Sequence, residues 1–291
     1  MKIIELKSNE LRQLQLIELE MLIEVDRICR KHGINYSLAA GTLIGAVRHG
    51  GFIPWDDDLD VILLHDDYEK FVKVCETELD TDRFFLQDYR TDPGYRWGYG
   101  KLRRKDTEYI KSGQEMLKQK TGICIDIFNF EYVPDEEKER KKFMRQMFCI
   151  RKSMYAAMGR KNERSLLLRC VYSLLYLIPK KLVYLVKNRI CQKYNERHTG
   201  HVNCMMLPLR KSPDGYPVSL FDNYIDMEFE GMNFMVASGY DMMLKMEYGD
   251  YMTLPPESER KGVMNAVKYQ LVDVQYEELK ARYERENINN E

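Results

Sequence analysis

No stretch of this 291-residue chain reaches the ~18 uninterrupted apolar residues that a membrane-spanning helix needs. Its first residues, MKIIELKSNELRQ, lack the apolar core of a secretory signal, so the expected location is cytoplasmic. Net charge is nearly absent too. A total of −1 argues against a general nucleic-acid binder, which would be strongly basic. The seven cysteines never form a C-x-x-C pair, and most sit in apolar stretches. That argues against a zinc site or disulfides and for reduced, buried thiols. There is no G-x-S-x-G, and no cysteine stands at a suggestive spacing from a histidine, so nucleophilic catalysis has no visible support. Neither an internal repeat nor a low-complexity segment is present. What remains, 44% hydrophobic and 31% charged, describes a folded globular protein of one large domain or two small ones.

Hydrophobic spacing supplies the elements. Leu11, Leu14, Leu22, Val25 and Ile28 predict a helix over 10–32, capped by Ser8 or Asn9 and ended by Gly33. A strand is expected at 34–38, a short helix at 41–49 stopped by Gly50-Gly51, and a strand at 58–64. A helix capped by Asp66 or Asp67 would bury Phe71, Val74, Cys75 and Leu79. Short strands are expected near 84–87 and 97–103, and the apolar run GICIDIFNF at 122–130 reads as a central strand. Past Pro134 the pattern turns helical to about 195. From Met205 it is loop-rich, with a last helix near 264–284. The fold class is therefore α+β, with a helix-rich second half. The expected organisation is a catalytic core over 1–133, a helical subdomain over 134–204, and a C-terminal segment over 205–291 that packs back on the core.

Residues 41–60, GTLIGAVRHGGFIPWDDDLD, carry the strongest chemical signal. Asp56, Asp57, Asp58 and Asp60 run into the apolar stretch Val61-Ile62-Leu63-Leu64. On a strand Asp58 and Asp60 share a face, roughly 7 Å apart. Like charges that close repel unless a cation lies between them, and carboxylate oxygens suit Mg²⁺ or Mn²⁺. A calcium loop of the EF-hand type fails, because Val61 stands where that loop needs glycine. Asp126, inside the apolar run, is expected to be a third ligand on an adjacent strand. Its alternative is a carboxylate satisfied by backbone amides or an arginine. Gly41-Thr42 at a helix start would admit a phosphate to free backbone N–H groups. Arg48 and His49 close that helix and face either phosphate or solvent. Lys101 and Arg103, in YGKLRRKDT, share a strand face and are candidates to neutralise phosphate, Lys101 foremost. The basic stretch 138–164 leads into SLLLRCVYSLLYLIPKKLVYLVKNRI at 165–190. The expectation there is a core helix pair, and the alternative is an amphipathic hairpin resting on a membrane surface.

These residues resemble a known family. GTLIGAVRHGGFIPWDDDLDV is similar to the signature of LicD proteins, phosphocholine transferases that decorate bacterial surface glycans. The resemblance extends through ICRKHGINY, YGKLRRKDT, GICIDIFNF and YDMMLKMEYGDYMTLPP, and it leaves 135–215 unmatched. It implies a nucleotidyltransferase-like mixed sheet flanked by helices. Gly41-Thr42 would take the place of the phosphate-holding turn, and Asp58, Asp60 and Asp126 those of the metal ligands, with Asp56 as a possible extra one. It also implies a CDP-linked donor such as CDP-choline, and as acceptor a hydroxyl of a glycan such as lipopolysaccharide or teichoic acid, lipid-linked or not. No nucleic acid is implied; peripheral contact with the inner face of a membrane is compatible. In that chemistry Asp126 would accept the acceptor's proton, and Lys101 and His49 would stabilise charge. Trp55 and Trp97 are candidates to meet a choline head by cation–π attraction. Two rivals remain: a DxD glycosyltransferase using a nucleotide-sugar, and a non-catalytic glycan-assembly scaffold.

Overall fold

The computed structural model describes residues 3–209, 211–212, 214–262 and 265–288. It opens on α1 (Ser8–His32), a 25-residue helix whose buried side chains include Leu14, Ile17, Leu19, Met21, Leu22, Val25 and Ile28. Lys7 rather than Ser8 or Asn9 stands at the N-cap, and the Glu10 carboxylate accepts its backbone N–H at 2.7 Å. Gly33 closes the helix in the left-handed conformation, its φ of 57° open to glycine at no cost.

After α1 come β1 (Ser37–Leu38), α2 (Ala40–His49), β2 (Asp60–Leu64), α3 (His65–Glu78), β3 (Phe84–Gln87), β4 (Gly100–Arg104), β5 (Glu108–Lys111) and β6 (Cys124–Val133). The helical run follows: α4 (Glu137–Met154), α5 (Ala156–Asn162), α6 (Leu166–Tyr176) and α7 (Lys180–Asn195). The chain then forms β7 (His201–Asn203), β8 (Tyr216–Pro217), β9 (Tyr224–Phe229), β10 (Met232–Ala237), α8 (Tyr240–Tyr248), β11 (Ala266–Gln270) and α9 (Tyr276–Ile288). The class is α+β, as expected.

The main sheet runs β1-β2-β6-β4-β3, extended past β6 by β7 and β8. Among the described residues only β2 and β6 pair parallel; the other neighbours in this sheet are antiparallel. Apolar side chains of α1, β2 and β6 merge into one core, which the β9–β10 hairpin and α9 help to close. A second apolar cluster lies where β6, α4 and α7 meet Trp97, Met205 and Met206.

Four expectations change. The strand expected over 34–38 shrinks to β1, because only Ser37 and Leu38 find partners on β2. The strand expected from 58 starts at Asp60, so Asp58 lies just before the ladder. The tail is not loop-rich. β9 and β10 form a hairpin across Glu230-Gly231, both with positive φ (53° and 69°), the geometry that matches strand twist in a two-residue turn. The last helix does not begin near 264. Residues 266–270 pair with β5 as β11, and α9 starts at Tyr276. An alternating Ala-Val-Lys-Tyr-Gln segment finds an open strand edge there, and pairing overrides helical propensity.

Candidate functional site

The site is assembled by backbone register. Asp60 on β2 lies opposite Asp126 on β6, and Asp126 lies opposite Lys101 on β4. Gln87 on β3 continues the row. Directly paired residues share a sheet face, so two carboxylates and an ammonium stand side by side. Lys101 Nζ donates to Asp126 Oδ1 in a largely buried ion pair. Burial pulls the Lys101 ammonium down, but Asp126 and Cys124 pull harder and leave its pKa raised.

The start of α2 is clamped to the same row. Ala39 N–H donates to the Asp60 carbonyl at 3.0 Å, and Asp60 N–H donates to Thr42 Oγ1 at 2.9 Å. Asp126 N–H in turn donates to the Leu59 carbonyl at 2.9 Å. Ala40 sits at a φ of 47°, a left-handed conformation that costs a Cβ-bearing residue roughly 1–2 kcal/mol. Gly41 faces Asp56: a Cβ at Gly41 would lie 2.6 Å from Asp56 Oδ2. The first N–H groups of α2 have no intrahelical acceptors, and that turn contains no acidic side chain.

Around this frame the carboxylates crowd. Asp56, Asp57 and Asp58 each offer an oxygen within 4.8 Å of the others. Burial first, then Asp58 and Asp57, push Asp56 up to about 8. Burial and Asp126 push Asp58 up to about 6, against the pull of Lys111. Burial, Asp58, Asp126 and Asp56 raise Asp60 well above the ordinary carboxylate range. Glu18 on α1 adds a sixth acid to Asp56, Asp57, Asp58, Asp60 and Asp126. It is fully buried, neither of its oxygens has a hydrogen-bond partner, and burial with Asp58 raises it strongly. The donor set is all oxygen, which suits a hard divalent cation, and Glu18, without a hydrogen-bond partner, lies within electrostatic reach of the same aspartates. The residues therefore fit Mg²⁺ or Mn²⁺.

Two cavities flank the row. One, of about 290 Å³, is lined by Trp97, Tyr99, Lys101, Tyr109, Lys111 and Tyr155. The other, of about 190 Å³, lies between Ala40, Asp60, Phe128, Glu247 and Tyr248. Trp97 packs on Tyr155 with ring centroids 4.7 Å apart.

The remaining sequence candidates fall elsewhere. Arg103 is buried, donating to Gln87 and to the Gly122 carbonyl, although it also lines the larger cavity. Arg48 donates to the Tyr251 carbonyl at 2.7 Å and holds the C-terminal loop. His49 stands at the far end of α2 from Gly41, roughly 12 Å along the axis, edge-on to Trp55 at 6.5 Å. Burial and Arg48 lower its pKa. Trp55 also receives Arg260 over its ring at 5.6 Å. Arg48, His49 and Trp55 thus form their own cluster beside the carboxylates. Of the seven cysteines, Cys149 and Cys170 are exposed rather than buried; all seven are free thiols.

Glu18, Lys111, Tyr155 and Tyr248 were not singled out by sequence. Glu18 carried one signal: it sits within the apolar face Leu14, Ile17, Leu22, where a charge needs a reason. The others lie on segments far along the chain and had none.

Comparison with known proteins gives concordant results. The family model described as LicD/FKTN/FKRP, nucleotidyltransferase domain, matches residues 33–160. The lipopolysaccharide cholinephosphotransferase LicD of Haemophilus influenzae is 31% identical over 267 residues, covering 88% of this chain and 96% of that protein. An uncharacterized protein of Rickettsia typhi is 30% identical over 129 residues, 44% of this chain and 31% of that protein.

Proposed function

Because this chain belongs to the LicD family, we propose that it transfers phosphocholine, or a similar phospho-substituent, from a CDP-linked donor to a hydroxyl of a cell-surface glycan such as lipopolysaccharide or teichoic acid. The observation that supports this best is the Asp60–Asp126–Lys101 row clamped to the start of α2.

Asp58, Asp60 and Asp126 would hold Mg²⁺ or Mn²⁺, with Asp56 and Glu18 close behind; the ion would neutralise the donor's pyrophosphate. The chain's own groups do the rest. The N–H groups of Gly41 and Thr42 receive phosphate oxygens, favoured by the dipole of α2. Lys101 adds positive charge where the leaving phosphate departs. The acceptor oxygen bonds to the phosphorus that carries choline. The bond from that phosphorus to the CMP oxygen breaks, and CMP leaves. The hydroxyl proton passes to Asp126 where that carboxylate is not fully engaged by the ion, and Lys101 fixes its position in the row. The larger cavity, walled by Trp97, Tyr99 and Tyr155, is the proposed seat of the trimethylammonium head; aromatic faces attract such a cation by roughly 2 kcal/mol when water is excluded. Trp97 suits this role better than Trp55, which is engaged with His49 and Arg260.

The test is a transfer assay with choline-labelled CDP-choline, Mg²⁺ and purified lipopolysaccharide. Wild type should label the glycan and release CMP, and Asp126→Asn and Lys101→Met should each lose roughly a hundredfold or more. Labelling from UDP-glucose but not from CDP-choline would overturn the assignment in favour of a glycosyltransferase. Activity retained in Asp126→Asn would remove that residue from the mechanism.

A further inference from the structure

The core helix pair expected over 165–190 is only half realised: α7 buries Val183 and Tyr184 in the second apolar cluster, whereas α6 does not join the core. No residue of α6 is buried. Leu167 is 74% exposed, Leu174 68% and, across the turn on α7, Leu185 64%. Leu166, Leu177 and Leu182 are exposed beside them. The reason lies in the opposite face. Tyr172 and Tyr176 turn inward, Tyr172 against Gly159 and Lys152, Tyr176 under Arg160 at 4.1 Å and Arg96 at 4.7 Å. Two tyrosines fasten α6 to the body, and the leucines are left facing out. An apolar face this large on a soluble surface needs a covering.

Charge identifies the cover. Between Arg140 and Asn195 there are fifteen lysines and arginines, and Glu163 is the only acid, in a chain whose net charge is −1. Exposed Arg164, Arg169, Lys181 and Arg189 lie on the same two helices or just before them. An apolar stripe rimmed by cations is the pattern of a helix lying in the interface of an anionic bilayer. A second copy of the chain would instead bring two like-charged rims together. Among the described residues no helix is long and apolar enough to cross a membrane, so the contact is peripheral.

We propose that the α6–α7 hairpin docks on an anionic lipid surface, its leucines inserted among the acyl chains and its cations among the headgroups. The hairpin also adjoins the candidate site. A shallow cavity of about 570 Å³ is lined by Phe148, Lys152, Tyr155 and Tyr172, and its walls Tyr155 and Leu207 are shared with the cavity that holds Lys101. A membrane-embedded acceptor headgroup would reach the carboxylate row along that path.

Co-sedimentation with vesicles tests this without turnover, so it stands apart from the proposed reaction. Wild type should sediment with phosphatidylcholine vesicles containing phosphatidylglycerol, and much less with phosphatidylcholine alone or at high salt. The triple variant Leu167→Ser, Leu174→Ser, Leu185→Ser, and the double variant Arg164→Glu, Lys181→Glu, should each bind roughly tenfold or more weakly. Since all five side chains are exposed, both variants should keep the wild-type circular dichroism. A monomeric wild type that ignores anionic vesicles would overturn the proposal. So would a wild type that ignores vesicles but self-associates through these leucines, which would assign the face to a second copy.

Discussion

Single residues set the chemistry, and Glu18 is the most exposed to test. A fully buried carboxyl with no hydrogen-bond partner costs free energy in a finished structure. Its neighbours Asp58, Asp57 and Asp56 make ionisation harder still. A divalent ion in the cluster would reverse that. Glu18→Gln should therefore fold normally yet weaken Mg²⁺-dependent donor binding roughly 10- to 100-fold, as loss of a supporting ligand does. Calorimetric titration of Mg²⁺ at fixed CDP-choline would measure it, and an unchanged Mg²⁺ requirement would make Glu18 merely a buried acid. Asp58, Asp60 and Asp126 were legible in the sequence because four aspartates at a strand edge and one inside an apolar strand need a cause. Glu18 was only half legible: Leu14 and Leu22, four residues to either side, place it on the apolar face, but nothing local says that it meets aspartates from 56–58.

At the scale of elements, Thr42 joins α2 to β2. The sequence marked it as part of a phosphate-holding turn, and the structure adds that its Oγ1 accepts the buried Asp60 N–H. Thr42→Val removes that acceptor and should cost about 1–3 kcal/mol of stability, whereas Thr42→Ser should restore most of it. Denaturant midpoints of the two variants compare them directly, and equal losses would show that the methyl group matters rather than the hydroxyl. Strands with strong apolar runs (β2, β6) and helices with clear periods (α1, α3) were readable from local pattern. The bounds of β1, and the existence of the β9–β10 hairpin and β11, were not. Two-residue pairings and edge strands depend on a partner far along the chain, such as β5 for β11, while the hairpin turns on Glu230, a non-glycine residue at positive φ that carries no turn signal. The α6–α7 apolar face misled for a related reason: hydrophobic periodicity says which side is apolar, not what covers it.

For the whole molecule, the carboxylate cluster links stability to pH and metal. Asp58 and Asp56 keep protons up to about 6 and about 8, where the unfolded chain loses them near the ordinary value of 3.8. The folded state then binds more protons, so stability must fall as pH rises through that window. In chelator the melting temperature should drop from about pH 5 to about pH 8, and Mg²⁺ should flatten the slope by replacing those protons. A slope that Mg²⁺ leaves unchanged would place the ion elsewhere. The central claim is that the aspartate row binds a CDP-linked donor through a divalent ion. Isothermal titration of CDP-choline into wild type and Asp60→Asn, each with Mg²⁺ and with EDTA, tests it most directly. Wild type in Mg²⁺ should bind, and the other three combinations should show no measurable binding. Equal affinity in EDTA, or in Asp60→Asn, would contradict it.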